Sequence, residues 1–221
     1  DRAVDEAADA LRPFGYYDPQ VRSRTSRDGA TWIVRLRIKP GDPVLMREVD
    51  VSVIGQGSND PEIDRVVTQN LLQTGTRLDH AAYEKLKKDL ARTALERGYL
   101  DATLTRHELL VDPPEHVADI HLQLDTGGRY EFGKVTIEQD AIDPKLLQGF
   151  IRFTEGQPFS GERIRNTQFA LEDSYYFSNV TVTPGERDPA TLTVPVTIRA
   201  VRIKRDRYSV SAGFGTDTGP R

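Results

Sequence analysis

The 221 residues contain no cysteine, one methionine, one tryptophan and only four histidines. Without thiols there can be no disulfide framework, no thiolate zinc site and no cysteine nucleophile, and the redox compartment is left open. Long apolar runs are missing too. The longest, such as Leu109-Leu110-Val111 and the stretch from Val196 to Ile203, are short or broken by charge, far below the roughly 20 residues a membrane helix requires. An excess of positive charge is also lacking: 30 basic against 34 acidic residues leave a net charge of −4, which argues against nucleic acid as a partner. The chain opens on Asp1-Arg2-Ala3-Val4-Asp5 with no basic-then-apolar leader, and so reads as a processed or excised segment.

What is present is internal repetition. Three segments align without a gap: Gly15-Tyr16-Tyr17-Asp18-Pro19-Gln20-Val21, Gly98-Tyr99-Leu100-Asp101-Ala102-Thr103-Leu104 and Ser174-Tyr175-Tyr176-Phe177-Ser178-Asn179-Val180, with starts 83 and 76 residues apart. The second and third follow amphipathic stretches, with Tyr83, Leu86, Leu90 and Ala94, then Ile164, Gln168, Leu171 and Tyr175, at helical spacing. Each motif is read as a helix end: Gly15, Gly98 and Ser174 close the helix, and Tyr16, Tyr99 and Tyr175 fold back over the core between helix and strand.

After each motif the period changes from helical to alternating. Trp32, Val34, Leu36 and Ile38 form one such set, Ala118, Ile120, Leu122 and Leu124 a second, and Leu192, Val194, Val196 and Ile198 a third, each the inner face of a half-buried strand. Pro195 interrupts the third set and predicts a bulge or an unpaired donor position. Upstream, strands around Val49 to Val53 and Tyr130 to Ile137 lead to Asp60-Pro61 and Asp143-Pro144, a cap followed by proline at the first helical position. The helices begun there carry Ile63, Val66, Val67 and Leu71, and Leu146, Leu147, Phe150 and Ile151, and are expected to stop near Gly75 and Gly156. A complete unit therefore reads β-α-α-β-β in roughly 80 residues.

This order, with the linkers Gly41-Asp42-Pro43 and Gly127-Gly128-Arg129, resembles POTRA domains, the periplasmic repeats of outer-membrane assembly and secretion barrels. The likeness is closer at Leu11-Arg12-Pro13-Phe14-Gly15-Tyr16-Tyr17, at Tyr83 to Tyr99, and at Gly213-Phe214-Gly215-Thr216-Asp217-Thr218-Gly219-Pro220-Arg221, which are similar to the outer-membrane component of the translocation and assembly module, the TamA family. The resemblance implies an α+β fold of tandem three-stranded mixed sheets, each covered by two helices, in which the second strand of each sheet lies on an open edge. The expected divisions are a partial first repeat at 1–39 lacking its opening strand and first helix, complete repeats at 40–126 and 127–200, and a linker with the first barrel strand at 201–221. That last strand is Tyr208 to Gly215, alternating apolar with small or polar residues after a basic run.

Catalytic constellations do not assemble in the sequence. His80, His107, His116 and His121 show no i, i+4 helical pair, Thr154-Glu155-Gly156-Gln157 lacks the lysine of a phosphate loop, and no Gly-x-Ser-x-Gly elbow exists. The expectation is a non-catalytic interaction region with no cofactor or metal. The resemblance implies a location on the periplasmic face of a Gram-negative outer membrane, and as partners a TamB-like inner-membrane-anchored companion and unfolded outer-membrane or autotransporter clients. Other readings are a two-partner-secretion relative or a lipid and protein transport bridge, and, from a different class, a periplasmic hydrolase. Strand addition is expected at the edge formed by Ala102, Thr103, Leu104, Thr105, Arg106 and His107, where polar side chains discourage self-pairing without blocking main-chain bonds.

Overall fold

The computed structural model describes residues 2–203, together with the backbone of 214–215 and 219–220. The expected barrel strand, Tyr208 to Gly215, lies largely outside the described residues; Phe214–Gly215 and Gly219–Pro220 form a short antiparallel ladder. The chain divides into two compact units, one of residues 1–130 with 158–160, the other of 131–157 and the residues from 161 onward.

Unit 1 opens with helix α1 (Arg2–Asp9) and a hairpin of β1 (Gln20–Asp28) and β2 (Thr31–Lys39), paired without interruption from Gln20↔Lys39 to Asp28↔Thr31. A second sheet follows, made of β3 (Leu45–Ile54), β4 (Thr103–Asp112) and β5 (Val117–Asp125). Its order is β3-β5-β4: β5 is central, parallel to β3 and antiparallel to β4. Helices α2 (Pro61–Thr68) and α3 (His80–Glu96) supply the apolar layer. Asp60 caps α2 by accepting from the Glu62 N–H, and Asp79 caps α3 by accepting from Ala81 N–H. Strict alternation on β5 places Ala118, Ile120, Leu122 and Leu124 in a core with Met46, Ile63, Leu78, Tyr83, Leu86 and Leu90.

The hairpin contrasts with that sheet, because neither strand buries a residue. Trp32, Val34, Leu36 and Ile38, the counterparts of the β5 core positions, are 65%, 54%, 41% and 41% exposed. Amide exchange should therefore be faster in residues 20–39 than in residues 117–125; slower exchange in the hairpin would show that its strands are held by more than their mutual ladder.

Unit 2 repeats the plan with β6 (Glu131–Glu138), α4 (Pro144–Gln148), α5 (Gly161–Glu172), β7 (Phe177–Pro184) and β8 (Thr193–Arg202), in the order β6-β8-β7. Val194, Val196, Ile198 and Ala200 are buried, as are Phe132, Leu147, Ile164 and Leu171, and Phe132 stacks on Phe153 with centroids 4.1 Å apart. Pro195 lies within the central strand, and the partner adapts around it. The β6 register shifts between Phe132 and Val135, while the Pro195 carbonyl still accepts from Gly185 N–H at 2.8 Å.

The first helices are shorter than their periodicity suggests. α2 ends at Thr68 and α4 at Gln148, and Leu71, placed on the helix by spacing, is 76% exposed. Gly75 and Gly156, with φ of +82° and +81°, end no helix. Each begins an extended return against the first strand: Gly75 N–H donates to Met46 O and Met46 N–H to Thr76 O, while Gly156 N–H donates to Phe132 O and Phe132 N–H to Gln157 O. Backbone pairing available only in the folded chain overrides the helical period.

Candidate functional site: an edge strand and the glycine joints behind it

A three-stranded sheet has two edges, and in unit 1 they are not equivalent. The β3 edge is partly closed by the return of residues 75–77, including a bridge from Leu45 to Arg77. Among the described residues the β4 edge carries no further strand. Of the predicted edge residues, Ala102 precedes the strand, its N–H bonded to Tyr99 O. Thr103, Leu104, Thr105, Arg106 and His107 lie on β4, but the register shifts between Leu104 and Arg106. Thr105 is the extra residue, and its hydroxyl turns inward to Gln123 Oε1 at 3.1 Å. A bulge twists an edge away from regular pairing, so the uninterrupted ladder is Arg106 to Asp112 rather than 102 to 107. His107 remains central to it. The Tyr83 hydroxyl, raised in pKa mainly by burial, donates to the His107 carbonyl at 2.8 Å and ties α3 to the strand.

Charges on the sheet face away from the helices are balanced by neighbours. Arg47 pairs with Asp119, and Arg106 with Glu108 at 2.9 Å. The Arg47 guanidinium holds the Asp119 carboxyl below the usual range, chiefly through its hydrogen bond. His121 Nδ1 has no hydrogen-bond partner among the described residues and stands 3.9 Å from Asp50. Among the described residues no three His, Asp or Glu side chains converge as a metal site would require.

The repeated Gly-Tyr motif does more than end helices. Gly15 and Gly98 have φ of +83° and +93°, and both backbones are met by a second segment. Gly15 O accepts from Val44 N–H and Val44 O from Leu78 N–H; a β-carbon on Gly15 would lie 2.6 Å from Leu78 O. The same three-part contact recurs with Gly98 O, Tyr130 and Phe159, where a β-carbon on Gly98 would meet Phe159 O at 2.8 Å. Gly75-Thr76-Arg77-Leu78-Asp79 and Gly156-Gln157-Pro158-Phe159-Ser160 stand 81 positions apart, a repeat that sequence reading could have matched to the glycines.

The aromatic partners differ from repeat to repeat. Tyr99 is buried, its hydroxyl 3.4 Å from Asp60 Oδ2 and its ring under the Arg129 guanidinium at 5.5 Å. Asp60, whose side chain is 2% exposed, also receives Arg97 Nε at 3.0 Å, so one carboxylate caps α2 and ties it to the end of α3. Tyr16 does not enter the core: its hydroxyl accepts from Arg77 at 3.2 Å under a cation–π contact, while Tyr17 bonds His80 Nε2 at 2.8 Å. The ungapped alignment fails at the third motif. Ser174 does not adopt positive φ; the left-handed turn falls instead on Tyr175, at φ +61° and 79% exposed, and Phe177 is the buried ring.

Residues 130–201 match the POTRA family model described as "Surface antigen variable number repeat", and residues 1–40 match the model described as "POTRA domain TamA domain 1". The chain belongs to the POTRA family. Among solved structures, POTRA domains 3–5 of BamA from Haemophilus influenzae share the fold at a TM-score of 0.50 and 15% identity, covering 90% of this chain and 80% of that one. BamA from Haemophilus ducreyi lacking POTRA domains 1–3 gives a TM-score of 0.54 at 17% identity, over 72% of this chain and 29% of that one. The POTRA sheet order, with its second strand outermost, is what leaves β4 available for pairing.

Proposed function

We propose that this POTRA chain is a non-catalytic docking scaffold on the periplasmic face of a Gram-negative outer membrane, attached to a β-barrel and receiving extended segments by strand addition. The repeat limits that go with this reading are 1–39, 40–126 and 127–200, with 201–221 leading into the barrel. The partners are a TamB-like companion anchored in the inner membrane and unfolded outer-membrane or autotransporter clients. The observation that carries the reading is the open β4 edge from Arg106 to Asp112, beside a β3 edge that the chain itself partly closes. Main-chain bonds to such an edge do not depend on the incoming sequence, which suits many clients. The TamA first-domain match supports the choice of this family among outer-membrane machines.

His107 and Glu108 are adjacent, exposed and in the regular part of β4, so one of their N–H groups points to β5 and the other to solvent. Proline at the inward position should cost about 3 kcal/mol, and proline at the outward one under about 1 kcal/mol. The outward variant should capture an unfolded autotransporter barrel segment at least tenfold more weakly, read by fluorescence anisotropy alongside urea unfolding. Unchanged capture by a folded outward variant would remove this edge from the mechanism.

A further inference from the structure

The β1–β2 hairpin carries a second feature, independent of strand addition at β4. Uninterrupted pairing puts Gln20 opposite Lys39, Arg22 opposite Arg37 and Arg24 opposite Arg35, and paired residues project from the same face. One face therefore holds Arg22, Arg24, Arg35, Arg37 and Lys39, with Ile33 and Asp28 at its turn end, and the other holds Trp32, Val34, Leu36 and Ile38, with Arg27. All five basic side chains are exposed, and none has an ion pair or side-chain hydrogen bond among the described residues. Acidic residues within reach answer the charges elsewhere on the sheets, as in Arg47–Asp119, Arg106–Glu108 and Glu138–Arg199. Five cations without an ion pair among the described residues, in a chain of net charge −4, are a local arrangement and not a consequence of composition.

The arrangement works against the hairpin's own stability. Like charges directly opposite across an antiparallel pair are destabilising, and here two such arginine pairs sit side by side on strands that bury nothing. We infer that this face is a docking surface for an acidic polypeptide segment in extended conformation. Alternate residues along a strand are about 6.8 Å apart, and carboxylates at alternate positions of an extended segment recur at the same interval. Four of the five cations are arginines, whose planar fork takes a carboxylate through two hydrogen bonds, where a lysine offers only a point charge. Strand spacing and fork geometry favour an ordered row of carboxylates over the mobile headgroups of a lipid surface.

The test uses the 221-residue chain and a fluorescein-labelled decapeptide alternating Glu with Thr or Val, beside its Gln counterpart. The Glu peptide should bind with an affinity that falls steeply between 50 and 300 mM salt, as exposed charges are screened within about 10 Å at 0.1 M ionic strength. The Gln peptide should not bind. Arg24→Glu with Arg37→Glu should weaken binding at least tenfold, while hairpin amide exchange slows because each substitution replaces a like-charge pair with an opposite one. Arg106→Glu, on the balanced face, should leave binding unchanged. The inference is overturned if the double variant binds as well as the parent, if the Gln peptide binds equally, or if phosphatidylglycerol vesicles bind and the Glu peptide does not.

Discussion

Gly98→Ala is expected to destabilise unit 1 by about 2–5 kcal/mol, from about 1–2 kcal/mol for an alanine at positive φ and about 1–3 kcal/mol for forcing the Phe159 carbonyl aside. Gly15→Ala should behave alike, since its β-carbon would lie 2.6 Å from Leu78 O. Gly75 and Gly156 supply the control: both have φ above +80°, but a β-carbon there meets nothing within 4 Å. Their alanine variants should lose only the conformational part, about 1–2 kcal/mol. Urea unfolding of the four variants separates the two contributions. Equal losses at all four positions would show that backbone conformation alone fixes these glycines and that the carbonyl contact contributes nothing.

Asp60→Ala is the second substitution with a large expected effect. It removes the N-cap of α2, worth about 1 kcal/mol, and leaves the Arg97 guanidinium without its buried partner. Breaking a buried pair costs about 3–5 kcal/mol, but Arg97 is 37% exposed and regains water, so a total of about 2–4 kcal/mol is expected. Asp60→Asn keeps a cap acceptor and should recover about 1 kcal/mol of that loss. A loss below about 1 kcal/mol for the alanine variant would mean that the network with Arg97 and Tyr99 is already solvated. The Tyr99 hydroxyl, pushed up in pKa by burial and then by Asp60, gives a second readout: removing the carboxylate should lower its titration midpoint.

Local patterning was legible wherever one face of an element meets the core. Alternation on β5 and β8, the Asp-Pro starts of α2 and α4 and the heptad-like spacing of α3 could be read from residue order, since burial of alternate or helically spaced positions is a property of the segment itself. Tertiary structure decided the rest. Thr105 reads as one more strand residue until pairing with β5 leaves it as the extra residue of a bulge, its hydroxyl bonded to Gln123, 18 positions later. Gly15 and Gly98 read as helix ends until the carbonyls of Leu78 and Phe159, more than 60 positions away, occupy the space of a side chain. Ser174 aligns with both glycines in sequence, yet the left-handed turn falls on Tyr175, one position later. The cationic face of the hairpin exists only once β1 and β2 are in register, because Arg22 and Arg37 become neighbours through cross-strand pairing and not through their separation in the chain.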